Sequence, residues 1–287
     1  MENKRLLITG SSGQLGRSVL DLSGNYPAYE FITAPAAFLS VYNESEIVKY
    51  LSEVSPGYII NCAAYTAVDK AESEPETALL VNATAVGYLA RFSAASGCRL
   101  IHISTDYVFD GNSALAYTET DSVNPVNMYG RSKLLGENLC LERDPDSIII
   151  RTAWVYSEHG KNFVKTMLRL MKEKDDLQIV SDQTGTPTYA ADLAEAIMQI
   201  IDSENWVPGI YHYASAGKTS WFEFARFIRD LAGLSCELIP VKTDQYPTAA
   251  KRPAFSLLDT NKIRSTYQIQ IADWEDSLKR CLIKLRS

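Results

Sequence analysis

A tyrosine and a lysine four residues apart could exchange protons with a bound ligand. Tyr129 and Lys133 lie on a predicted helix over residues 127–143. Residues i and i+4 share one helix face, so both side chains can act on the same ligand. A cation about 4 Å from the phenol contributes on the order of 4 kcal/mol at an effective dielectric constant near 20. That would lower the phenol's pKa by about two to three units, which suits a general acid near neutrality.

This spacing is common by chance, so the position of the pair in the chain matters more than the motif. A predicted strand over residues 99–103 precedes it, and Ser104 and Thr105 follow at the strand's carboxyl end. Open α/β sheets bind ligands beyond the carboxyl ends of their strands. Thr105 is therefore a candidate to hydrogen-bond the reacting group, although a hydroxyl can also simply terminate a strand. The alternative for Tyr129 is a half-buried surface phenol.

A glycine turn follows the first predicted strand. Gly10, Gly13 and Gly16 are spaced GxxGxxG and open a helix. A tight turn needs a residue without Cβ, and a pyrophosphate can approach the backbone closely only over glycine. The N–H groups at the start of the helix favour the same anion. The turn predicts a dinucleotide site, and tight strand–helix packing alone is the alternative.

The sequence favours NADPH as the dinucleotide and keeps NADH as the alternative. An acidic residue that binds the ribose 2′-hydroxyl of NADH is expected near the end of the second strand. That position reads Thr33, Ala34 and Pro35, without an acid. No arginine or lysine occurs between Arg17 and Lys49 to form an obvious 2′-phosphate site.

The pattern of predicted elements indicates an α/β fold with a Rossmann-type doubly wound parallel sheet. Short, continuously apolar segments alternate with amphipathic ones in the first half, as strands buried on both faces require. Helical segments dominate the second half, and no Gly/Ser linker separates the two. We therefore expect a dinucleotide-binding domain over residues 1–157 and a smaller, mostly helical substrate lobe over 158–287, with some strand exchange back to the first domain. The predicted strands are 5–9, 30–33, 58–62, 99–103 and 147–151.

Composition and charge exclude several classes of protein. The chain has 287 residues, 46% hydrophobic and 22% charged, which is typical of a globular protein. Its net charge of −7 disfavours broad binding to nucleic acid or to an anionic membrane. No apolar run reaches the length of a membrane span, and the amino terminus does not read as a signal peptide. Five cysteines without a CxxC pair indicate reduced thiols and a cytoplasmic protein.

Together, the glycine turn, the strand-end hydroxyl and the Tyr–Lys pair resemble the extended short-chain dehydrogenase/reductase superfamily. Longer blocks are more specific, and they resemble the dTDP-4-dehydrorhamnose reductase family from residue 5 to about residue 280. These blocks are AVDKAE at 67–72, STDYVFDG at 104–111, RTAWVY at 151–156, NFVKTML at 162–168, DQTGTPT at 182–188 and KRP at 251–253.

The resemblance implies an NAD(P)H-dependent reduction of the C4 ketone of dTDP-4-dehydro-β-L-rhamnose, giving dTDP-L-rhamnose for cell-surface polysaccharide. Tyr129 would give a proton to the C4 oxygen, Lys133 would hold the nicotinamide ribose, and Thr105 would hydrogen-bond the reacting oxygen. Asp106 and Trp154 would contact the substrate. Lys165 and Arg252 could supply positive charge to its diphosphate, and a solvated surface is the alternative for both. The implied cofactor contacts are Gly10, Gly13, Gln14, Leu15, Gly16, Ser40, Val41, Ala64, Tyr65, Thr66, Ile103, Tyr129 and Lys133.

Some members of that family are described as dimers bridged by Mg²⁺ through carboxylates, one of them on the first helix. Here Arg17, Ser18 and Val19 occupy that turn without an acid, so we predict no required metal, although Asp21 is nearby. A homodimer is retained as an expectation. The three histidines lack ligand spacing and are interpreted as structural.

Other functions remain as alternatives. A dehydratase would need an Asp–Glu pair after the threonine, and this chain has Asp106 and Tyr107. Another nucleotide-sugar reductase or an epimerase could use the same tyrosine. A non-catalytic dinucleotide-binding regulatory subunit, such as that of methionine adenosyltransferase, is the alternative from a different class.

Overall fold

A six-stranded parallel sheet forms the centre of the protein, with its strands in the spatial order Gly209–His212, Ile148–Thr152, Arg99–Thr105, Tyr58–Asn61, Arg5–Thr9 and Glu30–Thr33. All five strand pairings are parallel, which confirms the predicted α/β class with a Rossmann-type doubly wound sheet. The computed structural model describes residues 4–35, 38, 43–203 and 205–286. The strands of this sheet are β1 (Arg5–Thr9), β2 (Glu30–Thr33), β3 (Tyr58–Asn61), β4 (Arg99–Thr105), β5 (Ile148–Thr152) and β10 (Gly209–His212).

Helices cover both faces of the sheet. On one face, alternate β1 residues such as Leu6 and Ile8 pack with Leu193 and Ile197 of α8. On the other face, Leu7 packs among residues of α2 and α5. In chain order the helices are α1 (Gln14–Asp21), α2 (Glu44–Val54), α3 (Val68–Ala71), α4 (Pro75–Leu79), α5 (Ala85–Ser96), α6 (Met128–Arg143), α7 (Phe163–Glu173), α8 (Ala190–Asp202), α9 (Trp221–Ala232), α10 (Asn261–Tyr267) and α11 (Trp274–Arg286).

Helix α6 is fixed at its start and packed tightly along its length. The side chain of Asn127 accepts a hydrogen bond from the Gly130 N–H at 2.8 Å and donates to the Lys251 carbonyl at 2.7 Å. A Cβ at Gly130 would collide with the Tyr107 carbonyl, and one at Gly136 would collide with the Asn82 carbonyl. These close approaches fix how α6 presents Tyr129 and Lys133 to the sheet.

The second half of the chain has its own apolar core and also returns to the central sheet. Its core includes Tyr156, Val164, Phe224 and Leu278. The strand β10 from this half pairs with β5, so the chain crosses the expected boundary. The division at residue 157 stays a prediction. The remaining strands form two-stranded sheets and are β6 (Val155–Tyr156), β7 (Asp176–Val180), β8 (Thr184–Gly185), β9 (Thr188–Tyr189), β11 (Thr219–Ser220) and β12 (Glu237–Val241).

One helical stretch, Pro75–Ser96, is long and apolar enough by composition to cross a membrane, and 56% of its window is buried inside the protein. It runs from α4 through a π-helical turn, Leu80–Thr84, into α5. Val86 and Leu89 of α5 pack against the sheet. The apolar side chains of this stretch therefore contribute to the core of the protein.

Candidate active site

A cleft of about 930 Å³ lies beyond the carboxyl ends of β1, β3 and β4. Ligands of open α/β sheets bind at this edge. The cleft brings together residues from both halves of the chain, including most of those selected from the sequence. Of the predicted site residues, those that line it are Gly10, Gly13, Gln14, Leu15, Ala64, Tyr65, Thr66, Ile103, Thr105, Asp106, Tyr129, Lys133 and Trp154.

The glycine turn has a backbone that side chains could not follow. Gly10 has a positive φ of 62°, and a Cβ there would lie 2.7 Å from the Ala63 nitrogen. Gly13 donates its N–H to the Gly10 carbonyl at 2.9 Å and precedes α1 with no side-chain cap. The turn and the uncapped start of α1 leave backbone N–H groups beside the cleft, as a pyrophosphate requires.

Gly16 does not line the cleft. A Cβ at this position would collide with the Gly10 carbonyl oxygen, so Gly16 lets α1 pack directly on the turn. Its position fits the third glycine of a dinucleotide turn, which serves helix–strand packing.

Thr105, Asp106 and Tyr129 form a polar group at the end of β4. The Thr105 hydroxyl donates to Asp106 Oδ1 at 3.0 Å. Burial raises the pKa of Asp106 to about 6, against hydrogen bonds from Ser256 and Thr105 that lower it. Its Oδ2 is buried and has no hydrogen-bond partner among the residues that the structure describes.

The expectation that the pKa of Tyr129 is lowered is wrong. Burial raises its pKa to about 12, a hydrogen bond with Thr105 lowers it, and the nearby Asp106 carboxylate raises it further. Lys133 lies one turn away on α6, but the groups that shift the Tyr129 pKa are Thr105 and Asp106, and removal of the phenol from water is the largest influence. Tyr129 is therefore a protonated phenol at neutral pH, which is the form that a proton donor needs.

Lys133 is buried, with 1% of its surface exposed. Its Nζ donates to the Ile103 carbonyl at 2.7 Å and lies 3.4 Å from His102 Nε2. Burial lowers the pKa of Lys133 to about 8, while the charge of Glu137 opposes that shift. The amine can thus exchange a proton near neutral pH.

Two tryptophans stack at the mouth of the cleft. The rings of Trp154 and Trp221 are parallel within 10°, with centroids 3.6 Å apart. Trp154 has a positive φ of 48°, unusual for a side chain with Cβ, and Gly185 leaves room for its ring. The sequence analysis selected Trp154 but not Trp221. No sequence signal joins the two, because they meet only through the tertiary fold.

Some predicted residues lie elsewhere. Lys165 donates to the Glu158 carbonyl at 3.0 Å, and neither it nor Arg252 lines the cleft. Arg252 forms a two-point ion pair with Asp69, with distances of 3.0 and 2.7 Å. Ser40 and Val41 lie outside the described residues. Lys161, which the sequence reasoning did not select, does line the cleft.

A cluster of possible metal ligands is formed by residues that do not line the cleft. Ligand atoms of Asp21, Glu158 and His159 lie within 4.8 Å of one another. His159 Nε2 contacts Asp21 Oδ2 at 2.6 Å. The sequence did not reveal this cluster, because Asp21 is far from His159 along the chain. The packing of α1 brings the two side chains together.

A doubly wound sheet, a glycine turn and a Thr–Tyr–Lys set in one cleft define a Rossmann-type dehydrogenase/reductase. The family model described as RmlD substrate binding domain matches residues 4–287. A dTDP-4-dehydrorhamnose reductase from Aggregatibacter actinomycetemcomitans is 44% identical over 285 residues, covering 96% of this chain and 97% of that protein.

Solved structures give the same result. A dTDP-4-dehydrorhamnose reductase from Clostridium acetobutylicum has a TM-score of 0.94 and 40% identity, covering 99% of this chain and 100% of its own. One from Bacillus anthracis, in complex with NADP, has a TM-score of 0.94, 39% identity and the same coverage. The chain belongs to the dTDP-4-dehydrorhamnose reductase family, as the sequence blocks predicted.

Proposed function

We propose that the protein reduces the C4 ketone of dTDP-4-dehydro-β-L-rhamnose to dTDP-L-rhamnose with NADPH, with NADH as the alternative cofactor. The product would supply cell-surface polysaccharide. The observation that carries the proposal is the convergence of the glycine turn with Thr105, Tyr129 and Lys133 in one cleft. Relatives of the same family at 44% and 39% identity are dTDP-4-dehydrorhamnose reductases, and the second is solved with NADP.

The residues of the cleft fit a dinucleotide. A Cβ at Gly10 would collide with the Ala63 backbone, so the turn requires glycine there, and the turn leaves N–H groups for a pyrophosphate. Gln14, Leu15, Ala64, Tyr65, Thr66 and Ile103 would line the bound cofactor, which supplies the hydride. Lys133 keeps an N–H for the cofactor's ribose beyond the one that it donates to the Ile103 carbonyl. Ser40 and Val41 stay predictions for the adenine end.

The protein's own part in the reaction is to hold the ketone and to supply a proton. Tyr129 gives the phenolic proton to the C4 oxygen as negative charge develops there, and the Thr105 hydroxyl orients the same oxygen. Asp106, which lines the cleft beside Thr105, accepts a hydrogen bond from a sugar hydroxyl. Trp154 packs against the sugar.

The two residues predicted to bind the substrate diphosphate, Arg252 and Lys165, are paired with other groups in the structure. For Arg252 to bind the substrate diphosphate, its ion pair with Asp69 has to open or be shared. Lys165 has to leave the Glu158 carbonyl. Both stay predictions, and neither is required for the chemistry at C4.

Reduction is favoured over dehydration. The residue after Asp106 is Tyr107, whose ring meets Tyr129 edge-on at 5.5 Å between centroids. Burial raises the pKa of Tyr107, and the Asp106 carboxylate raises it further, so it cannot replace the carboxylate base of a dehydratase. An epimerase and a non-catalytic binding subunit remain as outcomes of the test.

The test is incubation with dTDP-4-dehydro-β-L-rhamnose and either NADPH or NADH, with the loss of absorbance followed and the sugar product identified. A reductase consumes one cofactor per sugar, whereas an epimerase regenerates its own. Tyr129→Phe should abolish the signal, and Tyr88→Phe on α5 serves as the matched control. Product without net cofactor consumption, or binding without turnover, would refute the proposal.

We also propose a cytoplasmic location, supported by free thiols at Cys62, Cys98, Cys140, Cys236 and Cys281. A homodimer and the absence of a required metal stay predictions. Light scattering with and without a chelator, combined with the activity assay, tests both.

A further inference from the structure

A row of polar side chains crosses three adjacent strands behind Lys133. Thr9 of β1 lies opposite Asn61 of β3, and Asn61 lies opposite His102 of β4. All three are fully buried, beside the apolar core that α2 and α5 form on the sheet. We call Thr9, Asn61 and His102 the polar row. Buried polar groups are costly unless they are hydrogen-bonded, so each of these side chains needs a partner inside the protein.

The polar row is a continuous chain of hydrogen bonds. The Ala63 N–H donates to Thr9 Oγ1 at 3.2 Å, and the Thr9 hydroxyl donates to Asn61 Oδ1 at 2.6 Å. Asn61 Nδ2 lies 2.9 Å from His102 Nδ1. His102 Nε2 lies 3.4 Å from Lys133 Nζ. The chain therefore connects the backbone beside the glycine turn to the lysine of the active site.

Its direction is set at one end. A backbone N–H can only donate, so the Thr9 oxygen accepts from Ala63. The buried Thr9 hydroxyl also needs an acceptor for its one proton, and among the described residues Asn61 Oδ1 at 2.6 Å provides it. The Asn61 oxygen receives that proton, which turns its NH₂ group towards His102. His102 Nδ1 must then accept. Orienting amides and imidazoles by the surrounding network is the standard way to assign them.

The direction determines which nitrogen of His102 carries the proton. Burial lowers the pKa of His102 well below its usual value, and the charge of Lys133 lowers it further, so the ring is neutral. A neutral imidazole that accepts at Nδ1 carries its proton on Nε2. The Nε2–H therefore faces Lys133 Nζ. An ammonium has no lone pair to accept that proton, whereas an amine has one.

We infer that the polar row is a positioning device for Lys133: it fixes the Nε2–H tautomer of His102 and thereby stabilises the amine form of Lys133 relative to the ammonium form. The inference rests on the proposed function, because it gives Lys133 a proton-exchanging role in that reaction. The Ile103 carbonyl accepts from Nζ in either form, and more strongly from the ammonium, so it opposes the effect of the polar row.

The other groups around Lys133 act in the opposite direction. Glu137 and Cys140 on its own helix and Cys62 after β3 raise its pKa, whereas burial lowers it to about 8. The Glu137 charge is itself shared with Arg151 of β5. His102 is the group facing Lys133 from β4. The polar row and burial thus both lower the pKa of Lys133, whereas the Glu137 charge raises it. The balance leaves Lys133 able to gain and lose a proton.

The direct test is the tautomer of His102, measured by ¹⁵N NMR on histidine-labelled protein without ligand. The chain has only three histidines, so assignment by replacing His159 and His212 is practical. We expect a neutral His102 with the proton on Nε2 at pH 7. A proton on Nδ1, or an imidazolium, would overturn the inference. This measurement needs no substrate, so it fails or succeeds independently of the proposed function.

A matched pair of variants tests the effect on Lys133. Thr9→Val keeps the shape and removes the hydroxyl that orients Asn61, so the Nδ1–H tautomer should become populated. His102 Nε2 could then accept from an ammonium. The titration assigned to Lys133 in the pH profile of kcat/KM should move upward by about one pH unit. Thr9→Ser keeps the hydroxyl and should keep the wild-type tautomer and titration.

An unchanged tautomer and pH profile in a folded Thr9→Val protein would contradict the inference, because a purely structural role predicts lower stability alone. If Thr9→Val does not fold, the wild-type tautomer still decides the matter. If His102 has the expected tautomer but the protein does not reduce the proposed sugar, the proposed function is refuted and the inference about the polar row is retained.

Discussion

Removal of one partner from the buried ion pair between Glu137 and Arg151 should be strongly destabilising, and one substitution is enough to test it. Glu137 accepts hydrogen bonds from Arg151 Nε at 2.9 and 3.2 Å and from Nη2 at 2.7 Å. The two side chains are 1% and 3% exposed. Ser104 donates to the same carboxylate, and the guanidinium lies over the Phe109 ring at 5.2 Å. Every oxygen of the carboxylate is therefore paired inside the protein.

Glu137→Gln removes the negative charge and leaves the guanidinium buried without a counter-charge. Loss of one partner of a buried pair costs about 3–5 kcal/mol. We expect the lower end, about 3 kcal/mol, because the amide oxygen still accepts one bond and the Phe109 ring remains. Adding Arg151→Met removes the second charge, so the double variant should be more stable than Glu137→Gln alone by at least about 1 kcal/mol.

Urea unfolding followed by circular dichroism measures these differences in the free energy of unfolding. Glu142→Gln, on the exposed face of the same helix, is the control and should change stability by less than about 0.5 kcal/mol. The reasoning is refuted if Glu137→Gln costs less than about 1 kcal/mol, or if the two single losses simply add in the double variant. Because the Glu137 charge raises the pKa of Lys133, Glu137→Gln should also move the Lys133 titration to lower pH.

Three further predictions concern the cleft. Tyr129→Phe should lower kcat/KM about 10²- to 10⁴-fold while NADPH affinity, followed by fluorescence, stays within a few-fold, and near-wild-type turnover would remove Tyr129 from the proton-donor role. The folded-state pKa of Asp106 is about 6, above its usual 3.8, so the native state holds this proton at pH values where the unfolded state has lost it. The free energy of unfolding should therefore fall by about 3 kcal/mol as the pH rises from about 4 to about 6. Asp106→Asn should remove that fall in pH-dependent urea unfolding, and an unchanged slope would contradict the assignment. Gly16→Ala places a Cβ against the Gly10 carbonyl and should raise the Kd for NADPH about tenfold, whereas Gly24→Ala, with open space around it, should not.

The central sheet could be predicted because its strands are buried on both faces. Segments such as Tyr58–Asn61 and Ile148–Thr152 are buried along their whole length, and a run of apolar residues between amphipathic helices is typical of such strands. The pairing of Gly209–His212 with β5 could not be located in the same way. It joins residues about 60 positions apart through the fold of the second half, and no local pattern encodes that contact.

The members of the site were predictable, but their ionisation was not. Spacing on α6 and position after β4 were enough to select Tyr129, Lys133 and Thr105. The pKa of Tyr129 depends instead on how much water the surrounding protein removes and on the buried Asp106 carboxylate. Both depend on packing, so an expectation based on a single lysine one turn away had the wrong direction. The Arg252–Asp69 pair escaped prediction for the same reason, since 183 residues separate its partners.

The polar row shows where a sequence alone cannot distinguish structure from function. Thr9, Asn61 and His102 each end or nearly end an apolar segment, and each alone is typical of a polar residue finishing a strand. Parallel register places them opposite one another, and the Thr9 hydroxyl proton donated to Asn61 then sets the direction of the hydrogen bonds up to His102. The sequence analysis interpreted His102 as structural, and it is a structural residue in the sense that the polar row holds and orients its ring. The same contact gives it an effect on the proton of Lys133, so structural and functional roles are not alternatives at this position.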